Sequence, residues 1–308
     1  MPCLQERSLM KIVKVHTLSL VFMVFLCFIP LVSICHAQTE KLRMNVGYTT
    51  SSLPDVDIKD VTAALNIWIK EIGDKEGFQT KTILYENADA LIQDFAAKKL
   101  DIAFLRTLEY LAAGKKIEAE IRQASTKNGK TTVKYLLVVP SGSGHVQIKD
   151  LKGTRLAILK NNDLGTMFLN TQLLKSKLSE AKGFFSEIQE KSKESQVLLS
   201  VFFGQSDACL VTDASYKTMA ELNPQIGQKT KIIVTSTELS EIVNFMQKKL
   251  DEGAKEKIIQ ASMRLKETER GKQMLILFNT DGVVRASDEK LETAIQLLAE
   301  YEKLKRKK

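Results

Sequence analysis

Histidine and cysteine are scarce in this chain, with three His and four Cys among 308 residues. Most of them crowd into the start: Cys3, Cys27, Cys35, His16 and His36 all lie within residues 1–37. If that segment is removed, only Cys209 and His145 remain. One thiol closes no internal disulfide, and one His with one Cys is too few for a zinc site of those ligands. There is also no Gly-x-Ser-x-Gly turn and no Gly-rich phosphate loop, so no nucleophile–base pair can be named. These absences argue against an enzyme and against a metal or other cofactor. Extremes of composition are missing too. With 44% hydrophobic and 27% charged residues, the chain is neither a disordered tail, nor a collagen-like rod, nor a polytopic membrane protein.

What the start does contain is an address. Leu18–Ile34 carries no charge, follows Lys11 and Lys14, and ends in Cys35-His36-Ala37, small residues three and one before Gln38. A basic lead, an apolar core and a small-x-small ending describe a secretory signal peptide over residues 1–37, with Met10 an alternative start. An uncleaved anchor would need this run of 17 apolar residues to span ~30 Å, the lower limit, and Pro30 near its end argues for cleavage. A lipid anchor on Cys35 would follow the bulky Ile34, where such sites want a small residue. The leader holds Arg7, Lys11 and Lys14 against Glu6, so its loss lowers the formal charge from +8 to about +6. That field favours anions. An export signal, and Lys balanced by Glu along the helices, disfavour nucleic acid.

Beyond the leader, short β-branched runs alternate with helical patterns, the signature of an α/β protein. Strands are expected at Arg43–Tyr48, Thr80–Leu84, Asp101–Phe104, Tyr135–Val139, Arg155–Leu159, Ala208–Val211 and Lys231–Val234. Helices are expected at Ile58–Ile72, Ala88–Ala97, Thr107–Ala113, Thr166–Leu178, Glu194–Phe202, Ser215–Leu222, Glu252–Lys266, Glu269–Leu277 and Asp288–Lys305. Trp68 sits on the apolar face of its helix and reads as core. Two polar, Gly-containing breaks, Thr126–Lys130 and Ser141–Gly144, flank Thr132–Val139. A chain that leaves one lobe, builds a second and returns would have a crossing strand there and another near Lys231–Thr237.

Several blocks in order resemble the type II periplasmic solute-binding proteins, in the phosphate/phosphite/phosphonate branch that serves ABC importers. They are Asn45-Val46-Gly47-Tyr48, Asp89–Tyr110, Ile148–Ala157, Phe202–Val211, Leu222–Pro224 and Leu250–Phe278. The resemblance implies a two-lobe α/β fold hinged by two crossing strands and closing on a ligand. The expected lobes are residues 38–131, then 132–234 for the second lobe with the crossing strands, then 235–308 returning to the first. It implies a periplasmic protein, a monomer, that captures a small anion for a membrane ABC permease, without catalysis. Two other readings stay open: an extracytoplasmic sensor feeding a histidine kinase, and a binder of a sulfonate or amino acid. The branch places a Ser-Thr-Ser-Gly run after the strand at Arg155–Leu159, where this chain has Lys160-Asn161-Asn162-Asp163-Leu164-Gly165-Thr166.

In open α/β sheets ligands sit at the carboxyl ends of strands, where helix starts offer free N–H groups and partial positive charge. Four loops qualify. Tyr48, Thr49 and Thr50 head a run of hydroxyls that donates to an oxyanion or merely caps a turn. Arg106 and Thr107 present a guanidinium fork suited to an oxyanion, unless Arg106 pairs with Glu109. Asn162, Asp163, Gly165 and Thr166 either touch the ligand or cap a helix, and Asp163 would repel a dianion while suiting an amine. Glu194 and Asp207 match by position acids that in the family bind a ligand amino group or protonated oxygen, though acids of this kind are more often solvated.

Overall fold

The computed structural model describes residues 42–53 and 58–307. The expected signal peptide lies outside the described residues. Each β-branched run read as a strand forms one, and the chain folds around two five-stranded sheets.

The first sheet contains β1 (Leu42–Thr49), β2 (Phe78–Tyr85), β3 (Ile102–Arg106), β4 (Ala119–Glu120) and, later in the chain, a strand at Ile242–Gln247; its order is β2, β1, β3, the late strand, β4. β1 runs parallel to both β2 and β3, and the late strand is antiparallel to β3. Parallel strands bury both faces. Accordingly Met44, Val46 and Tyr48 on one face of β1 pack under α1 (Ile58–Glu76), while α2 (Ala88–Ala96) covers the other. At Gly47 a Cβ would stand 2.6 Å from Leu100 Cδ1, so any larger residue would push the buried Leu100 side chain aside. α3 (Thr107–Ala113) follows β3 directly.

After β5 (Gln123–Thr126) the chain turns tightly through Asn128 and Gly129, both at positive φ, as a two-residue hairpin demands. It then enters the second sheet. This sheet comprises β6 (Tyr135–Pro140), β7 (Arg155–Leu159), β8 (Glu187–Lys191), β9 (Ala208–Thr212) and β10 (Thr230–Thr235), ordered β10, β6, β9, β7, β8. Among its helices are α4 (Asp163–Lys175), α5 (Ala181–Phe184), α6 (Glu194–Phe202), α7 (Asp213–Leu222) and α8 (Pro224–Lys229). The chain returns alongside its own outward path: Val133 and Leu239 exchange backbone hydrogen bonds of 2.9 and 2.8 Å, and Tyr135 N donates to Ser236 Oγ at 2.8 Å. Two antiparallel segments therefore join the lobes. The returning chain forms β11 (Ile242–Gln247), α9 (Glu252–Met263), α10 (Glu269–Leu277), β12 (Gly282–Arg285), which pairs with β5, and α11 (Glu292–Arg306).

Two departures from expectation have clear causes. β11 is buried almost throughout, so its apolar run shows no alternation to mark it as a strand. The last helix, expected to return to the first lobe within residues 235–308, packs instead on the second. Its stripe Ala294, Leu297, Leu298 and Tyr301 joins the core that holds Phe168, Leu169 and Leu173, and Lys175 pairs with Glu300 at 2.8 Å. Among the described residues no helix is long and apolar enough to cross a membrane.

Candidate functional site

The carboxyl ends of β1, β3 and β7 converge on a cleft between the two sheets, with a cavity of about 220 Å³. Thr50, Ser51, Arg106 and Thr107 line it from the first lobe, and Lys160, Asn161, Asn162, Asp163 and Ser192 from the second. Glu241 and Ile242, where the return segment enters β11, complete the wall with Tyr135.

Arg106 governs the electrostatics. It ends β3 in extended conformation, which aims its side chain across the cleft rather than along α3. Its Nη2 lies 2.6 Å from Asp163 Oδ2 and 3.3 Å from Glu109 Oε1, and Nη1 donates to the Asn161 carbonyl. The guanidinium thus ties the end of β3 to the start of α4. Ser51 Oγ also donates to Glu109 Oε1, at 2.9 Å. Both roles read from the sequence coincide here: Arg106 lines the cleft, and it is salt-bridged to Glu109.

The α4 loop acts chiefly as a cap. Asn162 Oδ1 accepts from Gly165 N at 2.9 Å, and the Asn162 carbonyl accepts from Thr166 N at 2.9 Å. Those bonds consume the amides expected to meet a ligand, so Gly165 and Thr166 do not line the cleft. A Cβ on Gly165 would stand 2.6 Å from the Asn162 amide; the glycine makes room for the cap. Asn162 Nδ2 is buried without a hydrogen-bond partner among the described residues.

Other expected site residues are placed differently. Thr107 is 1% exposed and its hydroxyl is bonded to the Ser240 carbonyl, so it touches the cleft with its donor already used. Thr49 is fully buried: its hydroxyl accepts from Ser51 Oγ at 3.0 Å and its carbonyl from Ser52 Oγ at 2.8 Å. Tyr48 is buried and stacked on Phe104 at 4.5 Å, where desolvation raises its hydroxyl pKa far above the ordinary range. It does not line the cleft but walls an adjoining cavity, as does Glu194. Glu194 is buried, not solvated, and accepts from Thr212 Oγ1 at 2.7 Å.

Asp207 is a correction. It precedes β9 and receives Arg155 N, Nε and Nη2 at 2.9, 3.1 and 2.9 Å, and that hydrogen-bonded guanidinium holds its carboxyl below the usual range. Arg155 begins β7, parallel to β9, so the pair sits at the amino ends of those strands, the edge away from the cleft.

Lys160 and Glu241 were not picked out by sequence reasoning. The Lys160 ammonium makes no ion pair among the described residues. Glu241 accepts from Tyr135 OH at 2.8 Å, and burial, with the Glu241 charge beside it, pushes that phenol well above its ordinary pKa. Chemically, the cleft offers a guanidinium, an ammonium and hydroxyls, countered by Asp163, Glu109 and Glu241. Among the described residues no cluster of His, Cys, Asp and Glu could hold a metal ion.

Residues 51–291 match the model of a family described as the periplasmic substrate-binding protein of phosphonate ABC transporters. The chain belongs to this family. Similar solved structures share its two-lobe fold. One is a binding-protein component of an ABC phosphonate transporter from Pseudomonas aeruginosa, 16% identical with TM-score 0.60, covering 86% of this chain and 88% of its own. PhnD1 of Prochlorococcus marinus, in complex with methylphosphonate, is 18% identical with TM-score 0.61, covering 85% and 98%. A Xanthomonas citri protein bound to ATP is 12% identical with TM-score 0.62, covering 86% and 98%. A search of curated proteins finds no match. In this periplasmic substrate-binding protein the α4 loop carries Asn162, the helix cap, and Asp163, the partner of Arg106.

Proposed function

We propose that this chain, exported by residues 1–37, works in the periplasm as a monomer that seats a small oxyanion of the phosphonate class in the interlobe cleft. It passes the ligand to a membrane ABC permease without making or breaking a bond. The observation that carries this reading is Arg106 spanning the cleft. Its fork already holds the carboxylate of Asp163 at 2.6 Å, and a carboxylate on a guanidinium occupies the geometry a phosphonate oxygen would take. A ligand oxyanion replaces Asp163 there, assisted by Lys160 and the positive end of the α4 dipole. The methylphosphonate complex of the Prochlorococcus relative supports the ligand class.

The acids in the same cleft favour a refinement. Asp163 and Glu241 suit an ammonium, so an aminoalkylphosphonate satisfies both signs of charge at once. No comparable observation favours the sensor reading.

The test is a thermal-shift panel on the mature chain with phosphate, phosphite, methylphosphonate, an alkylsulfonate and amino acids. A ligand at 100 times its Kd stabilises by about 2.7 kcal/mol, a rise of about 5 °C or more for a protein of this size. Arg106→Ala removes charge-assisted bonds worth roughly 1.5–3 kcal/mol and weakens binding by about 10- to 100-fold. A response to neutral compounds alone, or an Arg106→Ala variant that binds as wild type, contradicts the proposal.

A further inference from the structure

The cleft does not end at its polar groups. Leu53, Leu159, Glu241 and Ile242 line both it and an adjoining cavity of about 210 Å³. The lining of this second space is mixed: beside Lys127, Lys130 and Thr132 stand two aromatic pairs, Trp68 stacked on Phe278 at 5.5 Å and Tyr48 on Phe104 at 4.5 Å. An apolar cavity of about 150 Å³ takes a benzene ring, so the volume accommodates one ring. A ligand limited to a phosphonate and a methyl group would use none of this.

We infer that the ligand is an oxyanion bearing a planar aromatic substituent, the charged group on Arg106 in the cleft and the ring in the Trp68–Phe104 chamber. The inference rests on the oxyanion reading above and adds the organic half of the substrate.

Isothermal titration of the mature chain with methylphosphonate and phenylphosphonate tests it, in the wild type and in Ser125→Phe. Ser125 is exposed on β5 and lines only the chamber, so a phenyl group there plugs it. Phenylphosphonate should bind at least about tenfold tighter than methylphosphonate to the wild type. In Ser125→Phe that advantage should vanish while methylphosphonate is unaffected. Thr280→Phe, on another part of the wall, provides a second plug should the first variant fail to fold. If methylphosphonate binds and phenylphosphonate gains nothing, or the plugs leave the gain intact, the ring assignment is overturned and the oxyanion reading survives. If neither compound binds, both readings fall together.

Discussion

Replacing Asp163 by Asn should tighten the binding of a simple phosphonate, which is the opposite of what loss of a ligand-contacting residue normally does. In the protein Asp163 Oδ2 holds Arg106 Nη2 at 2.6 Å, and the two side chains are 50% and 20% exposed. An ion pair this accessible is worth at most about 1 kcal/mol, and an incoming oxyanion must displace it. Once seated on the guanidinium, a phosphonate lies within about 4 Å of the Asp163 carboxylate. Like charges at that distance cost about 1 kcal/mol in a water-like medium and more where solvent is excluded; the exposure of Asp163 argues for the lower figure. Together the two terms give about 2 kcal/mol, or roughly thirtyfold in Kd. Both are Coulombic at a partly wet site, so the gain should shrink as salt shortens the Debye length from ~30 Å at 0.01 M towards ~3 Å at 1 M. Titration calorimetry of wild type and Asp163→Asn with methylphosphonate, at low and high ionic strength, measures both effects. Aminomethylphosphonate supplies the internal control, because its ammonium loses a carboxylate partner in the variant and its affinity should fall or stay level while that of methylphosphonate rises. Unchanged methylphosphonate affinity in Asp163→Asn would show that Arg106 is not where the anion sits.

Two further predictions concern stability. Burial lowers the Lys290 ammonium from 10.5 to about 8, so between pH 8 and 10 the unfolded chain holds a proton that the folded one has lost. Stability should therefore rise with pH across that window, and Lys290→Met should abolish the rise, read as Tm against pH; a parallel profile in the variant would rule out Lys290 as its source. Lys255 is 1% exposed and its Nζ meets Glu120 and Glu252, each at 2.6 Å. Lys255→Met leaves Glu120 with, among the described residues, only the more distant Arg122 guanidinium, 3.6 Å away, and should cost about 2 kcal/mol by denaturant titration, with Glu120→Gln recovering part of it in the double variant; additive losses would refute the coupling.

Strand and helix runs were legible because their signals are local. Arg106 was legible as well, because its place depends only on where β3 stops. Its partner was half legible: Glu109 lies one helical turn on and was read as a salt-bridge candidate, whereas Asp163 meets Arg106 only through the folding of a second lobe. Glu241 carried no signal, since it opens a strand buried so completely that the alternation marking a strand is absent.

The misplacement of Asp207 was avoidable. A residue that precedes a strand lies at its amino end, and in a parallel pair such as β7 and β9 that end faces away from the ligand edge. The same polarity explains why Lys160, one residue past β7, lies in the cleft. Net charge has a comparable limit. The surplus of Lys and Arg over the whole chain describes the field an anion meets at long range, yet the cleft sets Arg106 and Lys160 against Asp163, Glu109 and Glu241. Long-range attraction raises the rate of encounter with any anion, while the local acids penalise one that brings no compensating cation. Selection of phosphonates by charge therefore falls to residues around Asp163, which no count of charges along the chain could have revealed.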